Sequence, residues 1–248
     1  MKIALITGGS RGIGKSAALH VARRGTGVIL TYNEHREAGE AVVAEINRGG
    51  GEAVALKLDT AQAGTFDEFA AEVARVLRER WNRTDFDYLV NNAGIAQRTL
   101  IKDTTHAMFD RLVDVNFKGP FFLTQRLITS MADGGHIINV SSALARVTFP
   151  GVAVYGSLKA GLEAMTRYFA KEYAPRKIRV NTVAPGAIDT EFGGGKGDEN
   201  ARRHIAEVTA LGRLGEADDV GMFIAALLCD DSRFVNAQRI EVSGGIAL

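Results

Sequence analysis

A glycine-rich turn near the start of the chain restricts the fold more than any other feature. The segment Thr7-Gly8-Gly9-Ser10-Arg11-Gly12-Ile13-Gly14 follows the apolar run 2–7 and opens a helical pattern that extends to about Arg24. Glycines allow a tight turn whose backbone N–H groups can approach a pyrophosphate, and the helix N-terminus adds partial positive charge. A turn without a ligand could carry the same glycines, but the strand–turn–helix context favours dinucleotide binding.

Short β-branched, apolar runs alternate with amphipathic segments along the rest of the chain, which is typical of repeated βα units. The pattern predicts strands over 2–7, 27–32, 52–58, 87–91, 136–140, 179–183 and 238–242. It predicts helices that end near Arg24 and that cover 36–48, 66–80, 105–131, 152–173 and 216–228. We therefore expect an α/β fold: one Rossmann-type, doubly wound parallel sheet of seven strands with helices on both faces, in a single domain over 1–248. The glycine-rich stretch 191–204 breaks this rhythm and is expected to be a mobile substrate loop.

Composition excludes several classes of partner. The formal net charge is +1, from 30 Lys and Arg against 29 Asp and Glu, so nucleic acid and anionic membrane surfaces are not expected partners. One cysteine cannot form an internal disulfide, and the five histidines show no ligand-like pairing, so we expect no metal. Neither a membrane-length apolar run nor a signal peptide is recognised. We expect a cytoplasmic protein that acts on a small molecule in a pocket.

The end of the second predicted strand bears on the choice of dinucleotide. It reads Tyr32-Asn33, without the acid that usually accepts the ribose hydroxyls of NAD. NADP(H) is therefore favoured, with Arg11 and Asn33 as donors to the 2′-phosphate. Glu34 could still turn toward the ribose, which would favour NAD(H), and Arg11 could be an ordinary surface residue.

A tyrosine and a lysine four residues apart suggest acid–base chemistry. Tyr155 and Lys159 lie on one face of a predicted helix, and a nearby cation lowers a phenol pKa from its usual value near 10. Such a pair also arises by chance on helices. Ser142 follows an apolar strand, at the sheet edge where ligands bind. Ser141 is its competitor, since neighbouring strand residues face opposite ways.

These motifs together resemble the short-chain dehydrogenase/reductase family. The resemblance runs from Lys2 to Gly244-Gly245. The family's motifs occur in order as the Thr7–Gly14 turn, Asp59, Asn91-Asn92-Ala93-Gly94, Asn116, Ser142, Tyr155 with Lys159, Pro185-Gly186 and Thr190. Ser142 stands thirteen residues before Tyr155, as the serine of that family does, which favours it over Ser141.

The resemblance implies catalytic roles. Ser142 would hold the substrate carbonyl, Tyr155 would exchange its proton, Lys159 would bind the nicotinamide ribose and lower the Tyr155 pKa, and Asn116 would anchor a water. Asn92 and Asn139 are interpreted as turn or strand supports. The implied cofactor-binding residues are Gly8, Ser10, Arg11, Gly12, Ile13, Gly14, Tyr32, Asn33, Asp59, Thr60, Asn91, Ala93, Gly94, Tyr155, Lys159, Pro185, Gly186, Ile188 and Thr190.

Within the family the chain looks most like 3-oxoacyl-(acyl-carrier-protein) reductases, with one departure. Asp133 stands where those proteins commonly carry a basic docking residue, although Arg176 occupies another such position. An aspartate there would repel an acidic carrier. We therefore expect a carbonyl reductase or alcohol dehydrogenase whose substrate is open. Arg146 could meet an acidic substrate or be a surface residue.

Two other functions are considered, together with the assembly. An NAD-dependent sugar or polyol dehydrogenase would use the same residues on another substrate. A non-catalytic NADP-binding regulator would be expected to lack the tyrosine or the lysine, and this chain keeps all four candidate catalytic residues. The resemblance implies a homotetramer or homodimer.

Overall fold

The computed structural model describes residues 1–192 and 199–248. Within them, one parallel sheet of seven strands has the order β3-β2-β1-β4-β5-β6-β7. The strands are β1 (Ile3–Ile6), β2 (Gly27–Tyr32), β3 (Ala53–Lys57), β4 (Phe86–Asn91), β5 (Met131–Val140), β6 (Arg179–Pro185) and β7 (Arg239–Val242). The order reverses between β1 and β4, so the loops that follow these two strands diverge and leave a crevice for a ligand.

Helices cover both faces of this sheet. They are α1 (Gly12–Arg23), α2 (Arg36–Arg48), α3 (Phe66–Trp81), α4 (His106–Val113), α5 (Gly119–Leu127), α6 (Ala153–Glu172), α7 (Glu199–Glu207) and α8 (Ala217–Leu227). Alternate residues of β1 enter two separate cores. Ile3 and Leu5 pack with side chains of α3, α5 and α6, whereas Ala4 and Ile6 pack with side chains of α1, α2 and α8. The doubly wound α/β fold expected from the sequence is therefore confirmed.

The expected helix over 105–131 differs from the structure at its end. Helices α4 and α5 are joined by a π-helical segment, Asp114–Lys118, and α5 stops at Leu127. Strand β5 then begins at Met131 rather than at residue 136, with Met131 paired to Phe86. Gly134 (φ +76°) and Gly135 form an irregularity within this strand, and a Cβ on Gly135 would lie 2.6 Å from the Asp87 carbonyl oxygen. The two glycines interrupt the apolar pattern of the sequence, so that pattern predicts a strand that starts after them. In the structure they mark a bulge within the strand, as glycine commonly does.

The expected loop over 191–204 also differs, because α7 occupies its last part. A paired Arg202 and Asp189 hold this helix to the segment after β6, with two N–O distances of 2.8 Å. Residues 193–198 of the expected loop lie outside the described residues. Among the residues that are described, no helix is both long and apolar enough to cross a bilayer.

Candidate active site

The glycine turn after β1 has the backbone geometry that a phosphate cradle needs. Gly8 and Gly12 have φ angles of +63° and +54°, which favour glycine, and a Cβ on Gly14 would lie 2.2 Å from the Gly8 carbonyl oxygen. Helix α1 starts at Gly12 with no capping side-chain hydrogen bond from Arg11. The first backbone N–H groups of α1 can therefore face a bound phosphate. A Cβ on Gly12 would lie 3.6 Å from Thr190, so the turn and the segment after β6 face one another.

Hydroxyl and amide side chains tie this turn to the loop after β4. The Thr7 hydroxyl accepts hydrogen bonds from the backbone N–H groups of Asn92 and Ala93, both at 3.0 Å. The Asn92 amide donates to the Thr7 and Gly8 carbonyls at 2.9 and 3.1 Å, and the Gly8 N–H donates to the Thr31 hydroxyl at 3.1 Å. Asn92 is thus a structural support. The supporting roles of Thr7 and Thr31 escaped sequence reasoning, since a threonine in a strand is an unremarkable β-former.

The structure brings Ser142, Tyr155 and Lys159 together at the carboxyl end of β5. Ser142 is extended and opens a short 3-10 turn, where its Oγ accepts a hydrogen bond from the Leu144 N–H at 3.1 Å. Tyr155 and Lys159 are buried on the same face of α6, with Lys159 Nζ 5.6 Å from the centroid of the tyrosine ring. Lys159 Nζ donates to the Val140 carbonyl at 2.8 Å, which holds α6 against the end of β5.

Burial dominates the protonation of this pair. It raises the pKa of the Tyr155 phenol above its ordinary value of 10, and a hydrogen bond with Ser142 acts in the opposite direction. Burial also lowers the pKa of Lys159 to about 8. The lowering of the Tyr155 pKa by Lys159, which is expected beside an oxidised nicotinamide, stays a prediction for the cofactor-bound site. A phenol of ordinary pKa is already protonated at neutral pH, so burial only strengthens the hold of Tyr155 on its proton.

Asn116 and Gly94 lie beside this group. Asn116 is fully buried in the π-helical segment, and its amide donates to the carbonyls of Leu112 and Ile95, both at 3.0 Å. A regular α-helix would pair the Leu112 carbonyl with a backbone N–H instead. A Cβ on Gly94 would lie 2.9 Å from the Asn116 Oδ1 and 3.7 Å from Lys159 Nζ. Only a residue without a side chain fits between these two groups.

The residues expected around the adenosine differ from one another in burial and in hydrogen bonding. Asp59 accepts from the Ala61 N–H at 2.9 Å, and Thr60 is buried beside it. Tyr32 is buried, whereas Asn33 is exposed. The Asn91 side chain turns into the core, where it donates to the Thr124 hydroxyl at 3.0 Å and to Asn139 at 2.9 Å.

Arg11 and its neighbours border the opening of the turn. The Arg11 guanidinium is two-thirds exposed and lies 3.9 Å from the Glu191 carboxylate, a distance at which the attraction in water is weak. Ser10 is half-buried, and Ile13 packs against the core that α1 shares with α8.

The segment after β6 closes the other side of the crevice. Gly186 follows Pro185, and a Cβ on Gly186 would lie 2.8 Å from Ser243. Ile188 forms a parallel bridge with Gly215, and the Thr190 hydroxyl accepts from the Phe192 N–H at 3.4 Å.

Apolar groups lie next to Tyr155 and between the neighbouring loops. The Phe192 ring lies 6.0 Å from the Tyr155 ring, centroid to centroid. An apolar cleft of about 500 Å³ lies between the loops after β4 and β5, and these loops are joined by the Thr99 N–H donating to the Gly151 carbonyl at 2.8 Å. Its lining is Leu100, Ile101, Lys102, Thr148, Phe149, Pro150, Gly151 and Ala153.

Two arginines considered for anionic partners are already engaged. Arg146 donates to both oxygens of Glu241 at 2.8 and 3.0 Å and to the Ile246 carbonyl at 3.0 Å. Arg176 donates to Asp133 at 2.8 Å and to the Ile128 carbonyl at 2.6 Å. These guanidiniums serve the fold, so neither presents an unshared positive charge.

Known proteins share both the sequence pattern and the architecture. A family model described as enoyl-(acyl carrier protein) reductase matches residues 8–247. The 3-oxoacyl-(acyl-carrier-protein) reductase FabG of Staphylococcus aureus is 36% identical over 247 residues, 99% of this chain and 98% of that protein. The structure of LugOII, a promiscuous reductase that catalyses keto-reduction in lugdunomycin biosynthesis, is similar with a TM-score of 0.94 and 38% identity, covering 100% of this chain and 98% of that one.

A second solved structure is that of the angucycline C-6 ketoreductase LanV with bound NADP. It has a TM-score of 0.93 and 36% identity, and the similarity covers 99% of this chain and 95% of that chain. The family model and these relatives each cover nearly the whole chain. The chain therefore belongs to the short-chain dehydrogenase/reductase family of NAD(P)-dependent oxidoreductases.

Proposed function

We propose that this enzyme is an NADP(H)-dependent carbonyl reductase of small-molecule ketones, with Tyr155 as its proton donor. The observation that carries the proposal is the group of Ser142, Tyr155 and Lys159 at the end of β5, across from a glycine turn shaped for a dinucleotide. The similar ketoreductase LanV was solved with NADP, which supports the choice of cofactor. The exposed Arg11 guanidinium would attract the 2′-phosphate.

The chain's own residues suit the direction of reduction. Ser142 would donate a hydrogen bond to the substrate oxygen and fix its position. Tyr155, which is protonated at neutral pH, would give the reduced oxygen its proton. Lys159 would contact the nicotinamide ribose and supply positive charge near the phenol. NADPH, when bound, supplies the hydride, and the protein supplies the positions of the reacting groups.

The remaining site residues have supporting roles in this proposal. Asn116 would order a water on the proton path, and Asp59 and Thr60 would contact the adenosine. Asn91 and Gly94 would hold the backbone near the adenosine ribose. Ile188 and Thr190 would meet the carboxamide. Cytoplasmic location, homotetrameric or homodimeric assembly and a single domain over 1–248 stay predictions.

The apolar cleft and the engaged arginines favour a free, apolar ketone over a carrier-bound one. FabG is a carrier-protein reductase, but in this chain Arg176 is paired with Asp133. Arg176 therefore offers an acidic carrier no unshared positive charge.

The test is to follow NADPH oxidation with a panel of aromatic and aliphatic ketones, quinones, sugars and acyl thioesters, both free and carrier-bound. We expect turnover with apolar ketones and much weaker turnover with NADH. Selective turnover of the carrier-bound thioester, or of sugars with NAD, would overturn the proposal in favour of the corresponding alternative. Binding of NADPH with no turnover of any ketone would favour a regulator.

A further inference from the structure

A chain of polar groups lies directly behind Ser142 and connects it to α6. The neighbouring Ser141 is buried, and its hydroxyl lies 2.8 Å from Glu163 Oε1 and 3.2 Å from the Lys159 carbonyl oxygen. The backbone N–H of Ser141 donates to the Val183 carbonyl at 2.7 Å. The end of β5 is thus fixed both to the neighbouring strand and to the helical turn that carries Lys159.

Strand β7 holds the other end of this chain. Arg239 donates from Nε to Glu163 Oε1 at 2.9 Å and from Nη1 to Glu241 at 2.7 Å. Glu241 in turn accepts from Arg146, which follows Ser142 by one short turn. The polar chain therefore starts just before Ser142, crosses α6 and β7, and returns just after Ser142.

The charges in this chain suit a rigid support. Two guanidiniums face two carboxylates, and the Glu163 and Glu241 side chains are only 12% and 18% exposed. Pairing offsets part of the cost of burying these charges, although Arg239 Nη2 is buried without a hydrogen-bond partner among the described residues. The pairs disfavour alternative arrangements, because a charge left unpaired would be costly. Hydride and proton transfer tolerate displacements of well under 1 Å, so the register between Ser142 and α6 should affect turnover directly.

We propose that Ser141, Glu163 and Arg239 are positioning residues that set the Ser142 hydroxyl relative to Tyr155 and Lys159. The inference rests on the proposed function, since it concerns the rate of the same reaction. None of the three residues touches the reacting atoms. They act by fixing the distance between the end of β5 and α6.

The test is a double-mutant cycle on kcat with Ser141→Ala and Ser142→Ala. Ser141→Ala should lower kcat about tenfold, with the NADPH dissociation constant and KM within about twofold of wild type. In the Ser142→Ala background, measured by single turnover with excess enzyme, Ser141→Ala should have little further effect, because the hydroxyl that it positions is gone. Glu163→Ala removes the carboxylate acceptor and leaves Ser141 only the longer contact to the Lys159 carbonyl, so it should lower kcat in the same direction and also have little further effect in the Ser142→Ala background.

Ser16→Ala is the matched control. Ser16 is a buried serine that donates to a carboxylate on another helix, Asp218, at 2.5 Å, and it lies outside the polar chain. It should lower Tm about as much as Ser141→Ala while kcat stays within about twofold. The inference would be overturned if the kcat losses of Ser141→Ala and Ser142→Ala multiplied in the double variant. It would also be overturned if kcat were unchanged in both Ser141→Ala and Glu163→Ala. An inactive wild type would instead count against the proposed function.

Discussion

The base and the rim of the candidate site are stabilised in different ways. The base, which consists of Gly94, Asn116, Ser142, Tyr155 and Lys159, is largely buried and is held by hydrogen bonds from several elements. The rim, which consists of residues 188–192 and α7, is more exposed, and an ion pair between Asp189 and Arg202 connects its two parts.

This difference separates chemistry from substrate choice. Proton and hydride transfer need fixed distances, which buried and fully bonded groups provide. The rim has few buried contacts and can adapt to the substrate. Substitutions in the base should therefore change kcat, and substitutions in the rim should change mainly KM.

The largest effect is expected from Tyr155→Phe. The variant keeps the buried ring but removes the proton that the substrate oxygen receives, so kcat should fall by about 10²- to 10⁴-fold. NADPH affinity, measured by fluorescence titration, should remain within about threefold. Tyr168→Phe is the control, since Tyr168 lies on the same helix and is 70% exposed. Wild-type turnover by Tyr155→Phe would refute the assigned role.

Lys159 should leave a signature in the pH dependence of stability. Its pKa is about 8 in the folded protein because of burial, against 10.5 for the free side chain. Between these values the unfolded chain binds more protons, so the free energy of unfolding rises with pH from about 8 to 10. Above pH 10 the raised pKa of Tyr155 acts in the opposite direction.

Denaturant unfolding of wild type and Lys159→Met across this window measures the effect. Wild type should gain on the order of 2 kcal/mol relative to the variant. Parallel curves for the two proteins would mean that Lys159 is charged and well solvated in the folded state.

Arg11 lies outside both the base and the rim, and Arg11→Ala tests the preference for NADP(H). Removing an exposed guanidinium beside the glycine turn should lower kcat/KM for NADPH about tenfold through KM, because a charge-assisted contact with the 2′-phosphate is lost. The value for NADH should hardly change. Equal losses with both cofactors would indicate that Arg11 contacts the shared pyrophosphate instead.

The sequence predicts the glycine turn and the Tyr155–Lys159 part of the base better than it predicts the rim, for physical reasons. Gly8, Gly12 and Gly14 are required by local backbone geometry, and Tyr155 and Lys159 share a helix face by spacing alone, so short motifs are sufficient. The π-helical turn that turns Asn116 toward Ile95 has no local signal in the sequence. Its form depends on tertiary contacts rather than on propensity.

Long-range pairing accounts for what the sequence could not predict. Ser141, Glu163 and Arg239 come from β5, α6 and β7, and no periodicity connects them before the sheet order is known. The helical part of the expected loop over 191–204 is likewise held by a pairing between distant residues, the ion pair of Arg202 with Asp189. The direction of the Tyr155 pKa shift follows from burial, which a motif does not reveal.

The smallest effect is expected in the rim, from Arg202→Gln. The variant removes the bidentate pair with Asp189, but both side chains are more than a quarter exposed, so solvent screens much of the attraction. KM for an apolar ketone should rise about threefold with kcat nearly unchanged. Arg203→Gln, at the next position of the same helix, controls for the loss of charge. Adding Arg202→Gln to Asp189→Asn should cause little further loss, because the pair is already broken in the single variant. A fall in kcat as large as that of the base variants would show that the rim also positions the reacting groups.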